Sequence, residues 1–411
     1  MMMTNFLTRF PEPEELLKRS LHQEPSFWPV NGHIHTPFSF SAFMAIDPIF
    51  EMAVGEGIKI LGINDFYTTK GYREFHDQAV RSRVFPLFNI EYIALDRELQ
   101  KRGVRVNDPN NPGRTYFSGK GLDFPDTLDA RHAGMVETVI AESMRQVESM
   151  VVKTNSVLSD LQSDIRLDFE EIRRLYAREL VRERHIAKAL RIAIYERYPD
   201  TGDRTTFLQR LYDGKELKAN PASNASVENE IRNNLLKAGG RAFVEEDEKA
   251  FLSVDMVIEI ITHAGGIPCY PVLLDDAKGN FTDYEGSKEA FLSELTARNI
   301  FCIELIPGRN DATILEDFVK FFDSKGFIIL FGTEHNTPEM IPLTVSCRHQ
   351  APLSESLKKI SSDGALLIAA HQYLRTKTGD SAMSRWNQLN TAQRQGMLNL
   401  GRAVFQHFQN T

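Results

Sequence analysis

Residues 27–39 read Phe27-Trp28-Pro29-Val30-Asn31-Gly32-His33-Ile34-His35-Thr36-Pro37-Phe38-Ser39. An apolar lead-in ends in a polar cluster, as a barrel strand does when it delivers side chains to a site at its C-terminal end. Alternate residues of a strand share a face, so His33 and His35 project together and can bind one divalent metal by nitrogen. Taken alone the pair fits two ordinary hydrogen-bonded strand histidines equally well. The rest of the chain supplies the context.

Downstream, Asp47-Pro48 supplies an N-cap and a first-turn proline for a helix running to Gly57. Ile58–Ile63 then reads as a strand ending in Asn64-Asp65-Phe66, and Val84–Ile93 as another with Glu91 near its end. The pattern resumes after residue 250. Val254–His263 has helical spacing and stops at Gly265-Gly266, which makes His263 a helix residue rather than a loop ligand. Ile267–Leu274, Ile300–Ile306 and Phe327–Phe331 are short β-rich runs, with helical segments near 285–298 and 312–324 between them. Strands alternating with helices of this length imply βα units, a mainly parallel sheet and an α/β fold. A barrel would bring Glu91 and Glu334 over the same opening as the two histidines. Two imidazoles and two carboxylates suit zinc, manganese or iron.

Between about 105 and 250 the periodicity is helical. Met135, Val139, Ile140, Met144, Val147, Val151, Leu158, Leu161 and Ile165 form an apolar stripe, and a second helical block runs from Phe169 to Tyr198. The expected organisation is a discontinuous barrel, 1–104 with 250–411, around a helical insertion, 105–249. Leu366–Leu374 and Met397–Phe408 should be helices packed outside the barrel. In the insertion, His185 stands among Arg182, Arg184 and Lys188, where it can hold a phosphate or belong to a solvated face. Arg309, beyond the run that contains Glu304, can reach an anionic substrate.

The 411 residues are 42% hydrophobic and 25% charged, which is ordinary globular usage. A net charge of -8 disfavours polymeric nucleic acid and acidic membranes as partners. Three cysteines without CxxC spacing suggest neither a disulfide framework nor a zinc knuckle. The first twenty residues hold no apolar stretch of leader type, and no apolar run approaches 18 residues, so a cytoplasmic protein is expected.

Four stretches in this order resemble the PHP superfamily, named for its polymerase and histidinol phosphatase members. Gly32–Ser39 is similar to its HxHTxxS motif and Leu61–Thr68 to its TDHDT motif. Asn89-Ile90-Glu91 matches its metal-bridging glutamate, and Gly332-Thr333-Glu334-His335-Asn336 resembles its GSDxH motif. Arg184–Leu190 and Ile261–Ile267 resemble the lid and the AGG turn of the small-phosphoesterase branch. The resemblance implies a distorted TIM-like (β/α)7 barrel with a lid. It also implies a metal-dependent hydrolase in which a metal-activated water attacks a small phosphate ester, with Asp65 or His335 moving protons. Positions that hold further metal ligands in the family read Phe66, Tyr116 or Phe117, Tyr270 or Val272, and Asn336. The implied content is therefore one divalent ion (Zn, Mn or Fe) per chain, on His33, His35, Glu91 and Glu334, with His335 as the alternative fourth ligand. The rival expectation is a non-catalytic, ligand-sensing PHP domain that retains one metal site.

Overall fold

Seven strands lie side by side in chain order: β1 (Val30–Ile34), β2 (Ile60–Phe66), β3 (Phe85–Leu95), β4 (Arg114–Lys120), β5 (Ile267–Val272), β6 (Cys302–Leu305) and β7 (Ile328–Phe331). The computed structural model describes residues 5–19 and 26–411, so the opening stretch read for a leader lies partly outside it. Neighbouring strands pair in parallel except at β4, which is antiparallel to both β3 and β5. A parallel bridge between Ile34 and Glu334 brings the chain beyond β7 against β1, and the His35 N–H donates to the Glu334 carbonyl at 2.7 Å. The sheet is thereby an almost closed barrel.

The assignment of 105–249 to the insertion requires a correction, because Arg114–Lys120 is a barrel strand. Its ladder partners, Ile90–Leu95 and Ile267–Cys269, are barrel strands on either side. Only the chain after β4 leaves the barrel.

The two-residue period of the strands sorts the interior into two storeys. Toward the strand starts the inward positions are Ile60, Phe85, Leu87, Ile267, Cys269, Cys302, Ile328 and Leu330. These pack with Leu366, Ala369 and Phe405 of the helices Glu355–Thr378 and Thr391–Asn410, which close that end. Toward the strand ends come His33, Asn64, Glu91 and Glu304, and Lys120 of the antiparallel β4 reaches Asn64 and Glu304 from the level of Ile267; all five are buried. Close approach here demands glycine. A Cβ on Gly62 would lie 2.3 Å from the Gly32 carbonyl oxygen, and one on Gly332 would lie 2.4 Å from the His33 Cβ. Cys269, Cys302 and Cys347 are all buried free thiols.

The insertion opens with one 31-residue helix, Ala130–Asp160, capped by Asp129. The block expected from Phe169 to Tyr198 divides into Phe169–Tyr176 and Glu183–Arg197. Its break is made by the barrel: the Leu180 N–H donates to the Phe38 carbonyl, and Arg178 and Glu179 pair with Glu74 and Lys70. Helix Asn224–Ile231 runs into a π-helical turn, Arg232–Leu236, a rare geometry that recurs at functional sites. These elements share a core that includes Leu158, Leu190, Leu211 and Ile231. Helix Val254–His263 returns the chain to β5. Among the described residues no helix is long and apolar enough to cross a membrane.

Candidate metal centre

His33, His35 and Glu91 each place one donor atom within 4.8 Å of the other two, and all three are buried. The two imidazole Nε2 atoms are 3.2 Å apart. Glu91 Oε2 lies 3.1 Å from His35 Nε2 and 3.7 Å from His33 Nε2.

The surroundings define which proton each ring carries. The Ser39 hydroxyl donates to Asp65 Oδ1 at 2.6 Å, so its oxygen accepts from the His35 Nδ1–H, 3.1 Å away. His35 Nε2 is then left with its lone pair. Burial lowers the pKa of His35 against the pull of Asp65, Glu334 and Glu304, which keeps the ring neutral. His33 Nδ1 lies 2.8 Å from Glu304 Oε2, a carboxylate that accepts a hydrogen bond from the Nδ1–H and likewise leaves the Nε2 lone pair free. Asn64 Nδ2 lies 3.2 Å from one ring nitrogen of His33 and 3.0 Å from the other, which sets it across the ring and not on either in-plane lone pair.

With Glu91 ionised, two lone pairs and a buried carboxylate oxygen therefore converge with no donor among them, and Glu91 Oε2 has no hydrogen-bond partner. Such a set is costly unless a cation fills it. The donors fit a divalent ion of the zinc, manganese or iron class. Burial raises the Glu91 carboxyl to about 8, against the opposing pull of His33. Metal binding requires the ionised form, so affinity should rise about tenfold per pH unit up to about pH 8 and then level off. Calorimetric titration with Mn²⁺ or Zn²⁺ at pH 6, 7, 8 and 9 reads this directly. A flat profile would show that ionisation of Glu91 does not limit metal binding in this range.

Beneath the cluster is a buried ion pair. Lys120 Nζ donates to Glu304 Oε2 at 2.5 Å and to Asn64 Oδ1 at 3.0 Å. Burial opposes ionisation of Glu304, but Lys120 and His33 outweigh it and hold the carboxyl well below the usual range.

The other expected site residues divide. Glu334 lines the same cavity as His33, Glu91 and Glu304, but its carboxylate is paired with Arg309 and stands outside the three-donor cluster. Its backbone and that of His335 are left-handed, at φ 64° and 56°. This strained pair turns the chain so that the Glu334 side chain enters the cavity while His335 turns away. His335 is spent elsewhere, on Thr333 Oγ1 at 2.8 Å and the Ile341 carbonyl at 2.9 Å, with Phe43 against its ring. Neither the replacement ligand nor the proton carrier expected of His335 fits that position. Asp65 is likewise sealed beneath the centre, accepting from Thr36 N–H, the Thr36 hydroxyl and Ser39. Through Ser39 it is linked to His35 Nδ1, and it is not among the residues that line the cavity.

His185 also requires correction. Its Nδ1 accepts the Arg182 N–H, its ring packs edge-on against Phe40, and burial lowers it to about 3. A neutral ring committed to a helix cap does not hold phosphate. Arg184 does line the cavity, with Arg182, Arg232 and Lys237. Lys188 turns aside to Met44 and the Tyr176 ring. Phe66 lies 4.8 Å from the His35 ring, and the Arg182 guanidinium covers its other surroundings at 5.2 Å. Tyr116, Val272 and Asn336 line the cavity, whereas Phe117 joins the core and Tyr270 bonds Glu285. Lys120, Asn64, Ser39, Glu304 and Arg232 escaped the sequence reading as site residues. A lysine next to glycine in a β-rich run, Ser118-Gly119-Lys120-Gly121, was the available signal for the first.

No family model and no curated protein matches the chain. Among solved structures it is similar to a protein described as a metal-dependent phosphoesterase from Bifidobacterium adolescentis. The TM-score is 0.51 at 17% identity, over 82% of this chain and 96% of that one. The chain shares its fold. The same barrel recurs in an amidohydrolase from Chromobacterium violaceum solved with bound sulfate and no metal, with a TM-score of 0.51 at 13% identity over 81% and 96% of the two chains. At these identities the likeness is one of architecture: a nearly closed seven-stranded α/β barrel, in which the three-donor cluster stands at the strand ends.

Proposed function

We propose that the chain is a metal-dependent hydrolase of small phosphate esters, with the ion held by His33, His35 and Glu91. The observation that carries this reading is that one cavity of about 1040 Å³ is lined both by His33 and Glu91 of that donor set and by Arg182, Arg184 and Arg232. When bound, a divalent ion supplies Lewis acidity and an acidified water. The protein's own groups do the rest. Glu304 and Ser39 orient the two imidazoles, and Lys120 fixes Glu304. Arg182, Arg184 and Arg232 approach from the insertion with Glu183 between them. Burial and the like charge of Arg232 lower Arg184 to about 10, so an anion arriving there relieves an existing repulsion. Such a wall suits the planar, bidentate recognition of phosphate oxygens.

Turnover of phosphomonoesters, cyclic phosphodiesters and nucleotides with added Mn²⁺, Zn²⁺ or Fe²⁺ tests the reading. The fate of the expected proton carriers favours a second one. Neither Asp65 nor His335 reaches the cavity, as would suit a barrel that binds a phosphorylated ligand without turning it over. Metal-dependent hydrolysis excludes that reading, and saturable phosphate-ester binding without hydrolysis supports it. For the hydrolase, Arg184→Gln should raise KM about 10–100-fold, the equivalent of one charge-assisted hydrogen bond, with a smaller change in kcat. An unchanged KM would place the substrate away from the insertion wall.

A further inference from the structure

A second cluster of potential ligands lies outside the cavity, where the insertion joins the barrel. Asp129 caps the first helix of the insertion, and His132 stands one turn into it. Helix Val254–His263 ends the excursion, with Glu259 and His263 one turn apart. Asp129, His132 and His263 each offer a donor atom within 4.8 Å of the others. The two rings face each other at 4.5 Å between centroids. His132 Nδ1 lies 2.9 Å from Asp129 Oδ1, and His263 Nε2 lies 3.2 Å from Asp129 Oδ2. On its far side, His132 Nε2 lies 3.3 Å from Glu259 Oε1, which Arg131 also contacts at 3.0 Å.

We propose that Asp129, His132 and His263 form a second divalent-metal site that fastens the two ends of the insertion together. Two imidazoles and a carboxylate select a borderline ion such as Zn²⁺ over Mg²⁺ or Ca²⁺, which take oxygen ligands. His132 binds through Nδ1, because Glu259 accepts its Nε2 proton. A carboxylate behind a metal-bound imidazole is a recurring arrangement that holds the ring and raises its basicity. His263 binds through Nε2, and the helix cap already fixes the Asp129 carboxylate. His132 is buried, while the side chains of His263 and Asp129 are 40% and 46% exposed, so an ion can enter from solvent and keep water in a fourth position. The bond would join the start of the excursion to its end across the whole inserted segment, close to the first residue of β5.

The test uses the full chain with the barrel centre disabled, His33→Ala with His35→Ala. Equilibrium dialysis should find one Zn²⁺ per chain, and none once His132→Ala and His263→Ala are added. Zinc at 100 times Kd should raise the melting midpoint of the first variant by about 3–5 °C and leave the second unmoved. Should the first variant fail to fold, wild type is compared with His132→Gln/His263→Gln, which should bind one ion fewer. Equal metal counts with and without His132 and His263 overturn the proposal. Because the count difference is read at those two residues, it stands or falls separately from the centre at His33.

Discussion

Replacing Lys120 by methionine is expected to cost about 3–5 kcal/mol of stability, the range for breaking a buried ion pair by removing one partner. Lys120 and Glu304 are both almost wholly inaccessible, so the surviving carboxylate would be left charged or forced to take a proton inside the barrel. Adding Glu304→Leu should restore much of that loss, since a buried pair replaced by apolar groups of similar volume is often neutral or stabilising. Metal binding should not return with it. Without Glu304 the His33 Nδ1–H loses its acceptor, and losing such a partner typically weakens metal affinity about 10–100-fold. Urea titrations of the single and double variants, followed by metal titration of the double variant, separate the two roles. A Lys120→Met chain as stable as wild type would show that the pair carries no buried charge.

The second large effect is expected at the ligands. His33→Ala removes one of three converging donors and leaves His35 and Glu91, too few to retain an ion through dialysis. Glu91→Gln keeps the shape but removes the charge, and with it the anion that offsets the divalent cation. Both variants should bind one ion fewer per chain than wild type. Phosphate-ester turnover should fall by at least about 10²–10³-fold, the usual cost of removing one charge-stabilising group from an active site. His335→Ala serves as the contrast, because its ring is bonded to Thr333 and Ile341 away from the centre. It should keep its metal. Elemental analysis after repletion distinguishes the three, and metal loss in His335→Ala alone would restore that residue as the ligand.

The barrel strands other than β4 were legible because apolar runs ended in polar residues and alternated with capped helices. β4 was not, since Arg114–Lys120 follows the turn-forming stretch Asp108-Pro109-Asn110-Asn111-Pro112-Gly113 and precedes a long helical stripe that dominates the local pattern. The histidine pair and Glu91 were legible from strand spacing and motif order. Their supports were not, because Lys120 and Glu304 are 184 residues apart and meet only when the barrel closes. The roles given to His185 and His335 failed for one reason. Each ring is satisfied by nearby backbone, a cap at Arg182 and a carbonyl at Ile341, and residue type alone does not reveal whether a ring is already engaged. Glu334 reached the right cavity but met Arg309, which had been expected to serve the substrate.

The central claim is that one divalent ion is held between His33, His35 and Glu91, and anomalous scattering from crystals repleted with Zn²⁺ or Mn²⁺ tests it most directly. Data on the two sides of the metal's absorption edge should give a peak bounded by the two Nε2 atoms and Glu91 Oε2. Any peak at Asp129, His132 and His263 would be separate from it. No anomalous peak between His33, His35 and Glu91 after repletion at pH 8 would contradict the account.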